Sequence, residues 1–534
     1  MENTFIYERR MHIFIFGKAY NLNMNFKKRL SIWFPYLRIE NSGLFLCGIA
    51  AIYVLVAYKS SGYHQEDEHY QIIEFANYKL GLLPINRLAW EYEAQIRPGL
   101  QPLVCYFLLK IFHGLGINDG YDIAFLLRAL SAIFSIFVIS RFVDSYKSCV
   151  ALKVRPYFIF LSYLLWFLPY INVRFSSESW SGMIFLLTLA VIQRQRYKDT
   201  MQKYLAIGAL LGFAVLLRYQ SGLLVVGVMA WFIFVYRINL RYFLLMTGAL
   251  LAILCLGVLV DLWLYGELTI SMYKYFEVNL IQGVSSNYGV SPFYEYVLYM
   301  LKAPGPFGIC ILVSLLVVIA YFPKNIMLWA IIPFVFIHSL IPHKELRFLY
   351  PIVNLVPVFL IISYQKLYKE LALKKIGGEA FRKAGIIMLV ALFIANIMGL
   401  TAIASTGAGT NKTVITEWIH RTYGEKNLNI ILINGENPYV DWGPPKNSYY
   451  SSDGVHLNNV SSIWQPDFLK YKKAGYTNLL VTSKDDISGV RTAALLRRLG
   501  LVKVYKNIPD AIQLIYQIYN PSLNDLYLEV YELK

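Results

Sequence analysis

Apolar runs of about 20 residues recur along most of this chain, and an α-helix needs about that length to cross the hydrocarbon core of a bilayer. Apolar residues make up 57% of the 534 residues, charged residues make up 16%, and the mean hydropathy is +0.47. An ordinary soluble globular protein carries more charge and fewer long apolar runs. The chain is therefore predicted to be an all-α polytopic membrane protein.

The number of spans depends on one ambiguous apolar run, residues 99–113. If this run crossed the membrane, the basic loops around Lys153 and Arg194 would lie outside, although basic loops are mostly cytoplasmic. Lys110 within the run also favours a helix along the membrane interface. The basic loops are then cytoplasmic and explain the net charge of +17, so this charge does not indicate a nucleic-acid partner. We therefore expect about 11 spans. They are residues 43–58, 121–143, 156–171, 179–193, 204–217, 221–236, 242–262, 305–322, 325–341, 346–364 and 384–405.

These spans divide the chain into three predicted parts. Residues 1–42 form a cytoplasmic segment before a retained first span, since no cleavable signal pattern is present. Residues 43–406 form the transmembrane domain, with a first exoplasmic loop at 59–120, and residues 407–534 form an exoplasmic domain. In this topology the notable clusters of ionisable residues all lie on the exoplasmic side.

The tail after residue 406 has a different composition from the rest of the chain. Short β-like runs occur at 429–433, 478–482 and 502–505, with helical patterns at 413–423 and 489–499. Such alternation is typical of a small α/β domain. The tail contains no cysteine, so no disulfide can form within it.

A dense group of charges, His-Lys-Glu-Leu-Arg at 343–347, directly precedes an apolar run. Charged groups are costly in hydrocarbon, so they are usually interfacial or functional. With Pro342 at its first turn, a helix starting here would gather His343, Lys344 and Arg347 on one side, and its N-terminus would attract an anion. Two interpretations remain open: a phosphate site, or side chains that snorkel at the interface.

The first exoplasmic loop is unusually acidic for this chain. Six of the 33 Asp and Glu residues of the whole chain lie between residues 66 and 93. Asp67 and Glu68 are adjacent, and Glu74 follows. Neighbouring carboxylates disfavour joint ionisation, which can raise one pKa towards that of a general base at working pH. The alternative is a solvated acidic loop without a catalytic role.

These motifs together resemble glycosyltransferase family 22, the GT-C-fold mannosyltransferases that build dolichol-linked oligosaccharides and glycosylphosphatidylinositol (GPI) anchors. The stretch His-Lys-Glu-x-Arg-Phe at 343–348 resembles one signature of the family, and the acidic loop resembles the other. The sequence departs from the family at Gln65-Glu66, where His-Pro often precedes the acidic pair, and at Arg218-Tyr-Gln, where Arg-Pro-Thr is common. The matching residues are Asp67, Glu68, Gln71, Glu74, Trp90, Glu91, Ile96, Arg97, Pro98, Leu217, Arg218, Gln220, Asp261, Tyr265, Gly266, Asn279, Tyr288, Gly289, Pro292 and Pro351.

The resemblance implies an inverting mannosyltransferase with a polyprenyl-phosphate sugar as co-substrate, a glycan or glycolipid acceptor, and no cofactor. The active site would be exoplasmic, in the endoplasmic reticulum of a eukaryote or the inner membrane of a bacterium. Asp67 would be the base, supported by Glu68. Expected donor-phosphate ligands are His343, Lys344, Arg347 and Arg218, and expected substrate contacts are Glu74, Arg97, Glu178, Glu345 and Tyr288.

Three points stay open at the level of the sequence. Glu178 could instead form a local ion pair with Arg174, four residues before it. A polysaccharide polymerase or ligase would also use exoplasmic Arg and His, but with a diphosphate-linked glycan. A flippase for lipid-linked sugars would need polar groups along a transmembrane path, which the spans do not show.

Overall fold

The computed structural model describes most of the chain beyond its first 42 residues and shows a mostly helical protein with one five-stranded sheet. Two compact units divide it: the described residues of Met1–Tyr53, Trp90–Val104 and Ser131–Ile397, and those of Val54–Ala89, Cys105–Leu130 and Met398–Lys534. The predicted segment 1–42 lies outside the described residues, so the predicted three-part division stays a prediction. The described residues are 43–194, 199–373, 378–409, 411–424, 426–433, 437–439, 448–450, 455–483, 487, 490–519 and 527–534.

The helices follow the hydropathy pattern closely. Short 3₁₀ and π-helical turns connect several of them, including the π-helical turn His69–Ile73 and the 3₁₀ segment Leu346–Leu355. The described α-helices are α1 (Gly43–Lys59), α2 (Glu74–Lys79), α3 (Trp90–Glu93), α4 (Leu100–Gly114), α5 (Gly120–Tyr146), α6 (Arg155–Leu164), α7 (Leu168–Asn172), α8 (Ser177–Arg194), α9 (Met201–Leu217), α10 (Gly222–Trp231), α11 (Leu240–Tyr265), α12 (Ser271–Phe276), α13 (Glu295–Lys302), α14 (Phe307–Tyr321), α15 (Ile326–Leu340), α16 (Val356–Leu373), α17 (Glu379–Ile403), α18 (Lys412–Tyr423), α19 (Val490–Arg498) and α20 (Asp510–Tyr519).

Among the described residues, five helical stretches are long and apolar enough to cross a membrane. The number rises to six if α14 and α15, which meet at an angle of 119°, form one broken span. Each of the predicted spans overlaps described helix, although the span 156–171 is divided between α6 and α7, and the ambiguous run is the short apolar helix α4. The count of 11 and the sidedness remain predictions. The five stretches are Gly120–Cys149, Tyr219–Tyr236, Leu240–Tyr265, Leu346–Leu371 and Arg382–Ile403.

The sheet lies in the second unit, in the tail. Its strands are β1 (Leu428–Ile433), β2 (Val455–Val460), β3 (Thr477–Ser483), β4 (Leu501–Lys506) and β5 (Leu528–Leu533), in the order β2-β1-β3-β5-β4. β1 pairs in parallel with β2 and β3, whereas β5 pairs antiparallel with β3 and β4. The three predicted strands correspond to β1, β3 and β4, and the two predicted helices to α18 and α19.

β1 is buried along its whole length because both faces of the sheet are covered. Ile430 and Leu432 belong to a core that includes Ile415 of α18. Ile431 and Ile433, whose side chains point the other way, join the core that includes Leu496 of α19. Alternate residues of a strand face opposite sides, so a continuous apolar run is what a strand covered on both faces requires.

In the first unit, α8 packs unusually close to the 3₁₀ segment Leu346–Leu355. A Cβ atom at Gly182 would lie 2.7 Å from the Cα atom and 2.9 Å from the carbonyl oxygen of Pro351. Glu178 precedes Gly182 by about one helical turn, and Arg347 precedes Pro351 by about one turn of its own segment. The close approach of the two backbones therefore brings the side chains of Glu178 and Arg347 together.

A buried amide pair fixes the same 3₁₀ segment at its other end. Asn172 donates from Nδ2 to Oδ1 of Asn354 at 3.1 Å, and Asn354 donates back at 2.9 Å. The Asn172 amide also donates to the hydroxyl of Tyr53, which donates to the carbonyl of Tyr163. Leaving any of these buried polar groups unpaired would cost about 1–3 kcal/mol, so the network specifies one position for the segment.

We expect Gly182→Ala to destabilise the protein, although alanine normally favours a helix. The new methyl group would meet backbone atoms that cannot rotate away, and overpacking of this kind costs about 1–3 kcal/mol. Thermal unfolding in one detergent checks this. Gly248→Ala in α11 is the matched control, because nothing lies within 4 Å of its Cβ position. Equal melting temperatures for the two variants would contradict the close approach.

Candidate functional site

Arg218 lies at a break between helices. α9 ends at Leu217, Arg218 itself is extended, and a 3₁₀ turn follows. The break turns its long side chain inward, where it is 6% exposed. Its Nη1 atom lies 3.1 Å from Oε1 of Glu178 and donates to the hydroxyl of Ser177 at 3.2 Å.

Glu178 is shared by two arginines. It lies in the first turn of α8, where the positive end of the helix dipole stabilises a carboxylate. Its Oε1 atom lies 3.1 Å from Nη1 of Arg218 and 3.6 Å from Nη1 of Arg347. All three side chains are buried. Arg174, the alternative partner considered from the sequence, has its guanidinium 5.2 Å from the ring centre of Tyr170.

The helical start predicted at 343 is wrong. His343, Lys344 and Glu345 are not helical, and the 3₁₀ segment begins only at Leu346. Glu345 gathers the charges instead. Its carboxylate contacts His343 Nε2 at 2.8 Å and accepts from Arg347 Nε at 2.6 Å and Nη2 at 3.0 Å. Ion pairing, rather than the spacing along a helix, therefore brings the two cations to one place.

This pairing shifts the pKa values of both Glu345 and His343. Burial raises the pKa of Glu345, but the hydrogen bond from His343 and the charge of Arg347 outweigh it and hold that pKa well below its usual range. The hydrogen bond to Glu345 raises the pKa of His343, against the opposing effect of burial. Both shifts therefore favour the charged form of the group.

Lys344 has a different environment from its neighbours. Its Nζ atom donates to the carbonyl oxygens of Ser291 at 2.9 Å, Ile341 at 2.7 Å and Pro342 at 3.4 Å. Burial lowers its pKa. The ammonium thus joins the loop before α13 to the segment that carries His343.

The net charge of the cluster depends on His343. Arg218 and Arg347 balance the two carboxylates of Glu178 and Glu345, and protonation of His343 then leaves one net positive charge. The ring of Phe348 stabilises the two guanidinium groups, whose carbons lie 5.4 and 5.5 Å from its centre. A buried charge excess is unfavourable unless an anion compensates it, so the arrangement suits a phosphate.

Arg97 lies in a separate network of the first unit. The Arg97 guanidinium pairs with Glu91 at 3.4 Å. The Tyr265 hydroxyl donates to the Arg97 carbonyl at 2.7 Å and accepts a hydrogen bond from the Arg97 backbone amide. The Gly99 amide donates to buried Asp261 at 2.9 Å, and Ser271 donates to the other oxygen of that carboxylate. Asp261 therefore holds the segment that carries Arg97.

Asp67, Glu68 and Glu74 of the predicted first exoplasmic loop belong to the second unit. Half-buried Asp67 begins a helical stretch that continues through the π-helical turn His69–Ile73 into α2. Gln71, one turn later, donates to Oδ1 of Asp67 at 2.8 Å and so orients that carboxylate. Glu68 and Glu74 are buried. Single π-helical turns inside helices are frequent at functional sites.

His69 is a candidate functional residue that the sequence analysis does not identify. Its side chain is 1% exposed, and its Nε2 atom lies 3.3 Å from Oε1 of Glu74. The two are five residues apart, a separation that a π-helical turn brings onto one face. Four tyrosines surround the ring, Tyr63, Tyr70, Tyr449 and Tyr450, with ring centres 5.5, 5.2, 5.1 and 5.3 Å away. The signal missed was the spacing of His69 and Glu74.

The predicted site residues thus fall into three groups. His343, Glu345, Arg347, Glu178 and Arg218 form one largely buried ion cluster. Lys344 bonds to backbone carbonyls beside it, and the ring of Tyr288 is tilted with its centre 6.1 Å from that of His343. Arg97 belongs to the network with Asp261. Asp67, Glu68 and Glu74 lie in the second unit. Among the described residues no group of three His, Cys, Asp or Glu side chains could hold a metal ion.

We expect the His343–Glu345 pair to make stability depend on pH. The pKa of His343 is raised on folding, so its contribution is complete below the ordinary value of about 6.5 and is lost as pH rises through the raised value. Glu345 stays ionised in this window. Melting temperatures from about pH 5.5 to about pH 8.5 should fall with pH in the wild type more than in His343→Gln. Parallel profiles would contradict the pairing.

Comparison with known proteins identifies the family. The model of the Alg9-like mannosyltransferase family matches residues 44–427. GPI mannosyltransferase 3 of Candida albicans is 25% identical over 57% of this chain and 60% of its own length, and GPI alpha-1,2-mannosyltransferase 3 of Bos taurus is 23% identical over 55% and 53%. The chain therefore spans little more than half the length of these relatives.

Among solved structures, ArnT of Cupriavidus metallidurans bound to undecaprenyl phosphate aligns with 92% of this chain and 98% of its own, at 12% identity and a TM-score of 0.44. The family match covers well over half of the chain and includes both the acidic loop and the 343–347 cluster. The chain belongs to the Alg9-like mannosyltransferase family.

Proposed function

We propose that this protein is an inverting mannosyltransferase of the exoplasmic membrane face. It moves mannose from a polyprenyl phosphate, dolichyl phosphate in a eukaryote, to a hydroxyl of a glycan or glycolipid. The observation that carries the proposal is the buried arginine pair, Arg218 and Arg347, which shares one oxygen of Glu178 and belongs to a cluster that protonation of His343 makes positive.

The proposed step requires stabilisation of a leaving phosphate more than acid catalysis. The acceptor oxygen forms a bond to the anomeric carbon, the bond from that carbon to the phosphate oxygen breaks, and the electron pair leaves with the lipid phosphate. Preorganised cations in a desolvated site stabilise such developing charge strongly. Arginine suits this role because its planar fork of donors matches two phosphate oxygens.

Within the cluster, the residues take different proposed roles. Arg218, Arg347 and protonated His343 contact the phosphate, while Glu178 and Glu345 hold the guanidinium groups in place. Lys344 adds positive charge to the same site and holds the loop that carries Tyr288 through Ser291. Tyr288 contacts the sugar or its lipid, and Arg97, held by Asp261, contacts the substrate.

Asp67 is the proposed general base and takes the proton of the acceptor hydroxyl. Gln71 fixes its carboxylate, and Glu68 and Glu74 support the helical stretch or orient the acceptor. One base and a phosphate leaving group imply direct displacement, so the configuration at the anomeric carbon inverts. The step uses no cofactor, since the polyprenyl-phosphate sugar is itself the co-substrate.

The names of the relatives favour a GPI-type glycolipid as the acceptor class. The proposed setting in a eukaryote is the endoplasmic reticulum membrane with a lumenal site, and in a bacterium the inner membrane with a periplasmic site. The first test is purified protein with polyprenyl-phosphate mannose and candidate acceptors, read as lipid-phosphate release and mannosylated product. Equal use of a diphosphate-linked glycan would instead indicate a polymerase or ligase.

We expect Arg347→Lys to impair donor use although the charge is kept, because lysine lacks the planar fork. Arg347→Gln and Lys344→Gln should raise the donor KM more than the acceptor KM. Kinetics with varied donor at fixed acceptor measure this on protein of unchanged melting temperature. Lys366→Gln, outside the cluster, is the control. A silent Arg347→Lys would mean that the side chain only anchors the segment at the interface.

Asp67→Asn should lower the transfer rate by about 10² or more, a common effect of losing a general base. The amide keeps the shape of the side chain and can still interact with Gln71. Glu68→Gln should have a smaller effect if Glu68 only orients its surroundings. Single-turnover rates at saturating donor measure both. An active Asp67→Asn enzyme would assign the base to Glu66, Glu68 or Glu74.

A further inference from the structure

Asp261 is a buried carboxylate near the end of α11, a candidate span, and it takes no part in the proposed chemistry. A charged group in a membrane segment is costly and is usually both paired and functional. Its Oδ1 atom accepts from the Gly99 amide at 2.9 Å, and its Oδ2 atom accepts from the hydroxyl of Ser271. Ser271 begins α12 and is fully buried. Both oxygens of Asp261 therefore bond to segments outside its own helix.

One branch of this network reaches Arg97. Gly99 lies two residues after Arg97, and the hydroxyl of Tyr265, one turn after Asp261, bonds to both backbone groups of Arg97. A Cβ atom at Gly99 would lie 3.1 Å from the carbonyl oxygen of Val260, so a side chain here would crowd α11. The carboxylate and the phenol thus fix residues 97–99 against the end of α11.

The other branch reaches Arg218. A serine hydroxyl has one hydrogen, and Ser271 donates its hydrogen to Asp261. The Tyr219 hydroxyl, which bonds to the same Ser271 oxygen, is therefore the donor in that pair. Tyr219 directly follows Arg218 and opens the 3₁₀ turn at the break. This chain of hydrogen bonds ties the turn after Arg218 to Asp261.

A second connection joins the same two places. Gln220, in the turn after Arg218, donates from Nε2 to the Tyr275 hydroxyl at 2.5 Å. The ring centre of Tyr275 lies 6.0 Å from the guanidinium carbon of Arg97. Ser271 and Tyr275 are four residues apart, so they share one face of α12. That face holds the turn at two points and contacts Arg97 as well.

We propose that Asp261 is a positioning residue that holds Arg97 and Arg218 at a fixed separation. This role rests on the function proposed above and deepens it, because one carboxylate then places an arginine of the phosphate cluster and the proposed substrate contact Arg97. Side chains that the fold already holds in place lose less freedom when a ligand binds. Loosening either branch should therefore weaken substrate binding more than it slows the bound complex.

Tyr219→Phe and Ser271→Ala both break the branch to Arg218 and leave the Gly99 bond to Asp261. We expect each to raise the KM for polyprenyl-phosphate mannose roughly tenfold, the effect of one lost hydrogen bond in a charged network, with a smaller change in kcat. The double variant should match the more severe single variant, because both substitutions break the same chain.

Tyr273→Phe is the matched control, because it removes a hydroxyl from the same helix at a position that is 59% exposed. It should leave the donor KM unchanged. A merely structural role would lower the melting temperature and the amount of active enzyme without changing KM. An unchanged donor KM in Tyr219→Phe, multiplied effects in the double variant, or an equal rise in Tyr273→Phe would overturn the positioning role.

Asp261→Asn tests the carboxylate itself at nearly constant volume. An amide has one acceptor atom, so when that atom accepts from Gly99 its NH₂ group faces Ser271, and the hydrogen bonds towards Tyr219 must reverse. We expect the donor KM to rise at least as much as in Tyr219→Phe. A wild-type donor KM in folded Asp261→Asn would contradict the proposal.

A binding experiment separates the positioning role from the proposed reaction. Polyprenyl phosphate without sugar should raise the melting temperature of the wild type, and Tyr219→Phe should need roughly tenfold more of it for the same shift. Such a difference without any mannose transfer would contradict the proposed function and leave the positioning role standing. Transfer together with equal binding by the two proteins would overturn the positioning role alone. A wild type that does not bind polyprenyl phosphate would overturn both.

Discussion

The shared carboxylate of Glu178 is the interaction on which the ion cluster depends. Two buried guanidinium groups repel each other, and a single carboxylate oxygen 3.1 and 3.6 Å from them makes their proximity tolerable. Glu345 balances the second guanidinium, so the cluster has an excess of positive charge when His343 is protonated. An arrangement that is stable yet under-compensated is what binding a further anion requires.

The backbone around the cluster determines where the charges can be. Gly182 lets α8 approach Pro351 closely, and the pairing of Asn172 with Asn354 fixes the 3₁₀ segment farther along. Neither feature carries charge, yet both place Arg347 relative to Glu178. Long side chains such as Arg347 and Glu178 lose rotamer freedom when they are held in one geometry. Because the rigid backbone on both sides already fixes them in the folded protein, less freedom is lost when an anion binds.

The sequence was informative where chemistry is local and less so where it depends on distant pairing. Apolar runs located the helices, and β1 and β3 were recognised because they are covered on both faces. β2 is half polar and exposed at the edge of the sheet, so its pattern was weak. The cations at 343–347 were found, but a helix was predicted where Glu345 pairs with His343 and Arg347. Glu178 and Arg218, 40 residues apart, could be joined only by the fold.

The excess charge also links stability to the donor. An anion that binds the folded cluster stabilises it by mass action, since the unfolded chain has no comparable site. The same argument explains why His343 matters beyond a hydrogen bond: Glu345 raises its pKa and so favours the protonated form, which supplies the net positive charge of the cluster. Salt screens the attraction of the cluster for this anion, and high pH weakens it by removing the proton of His343.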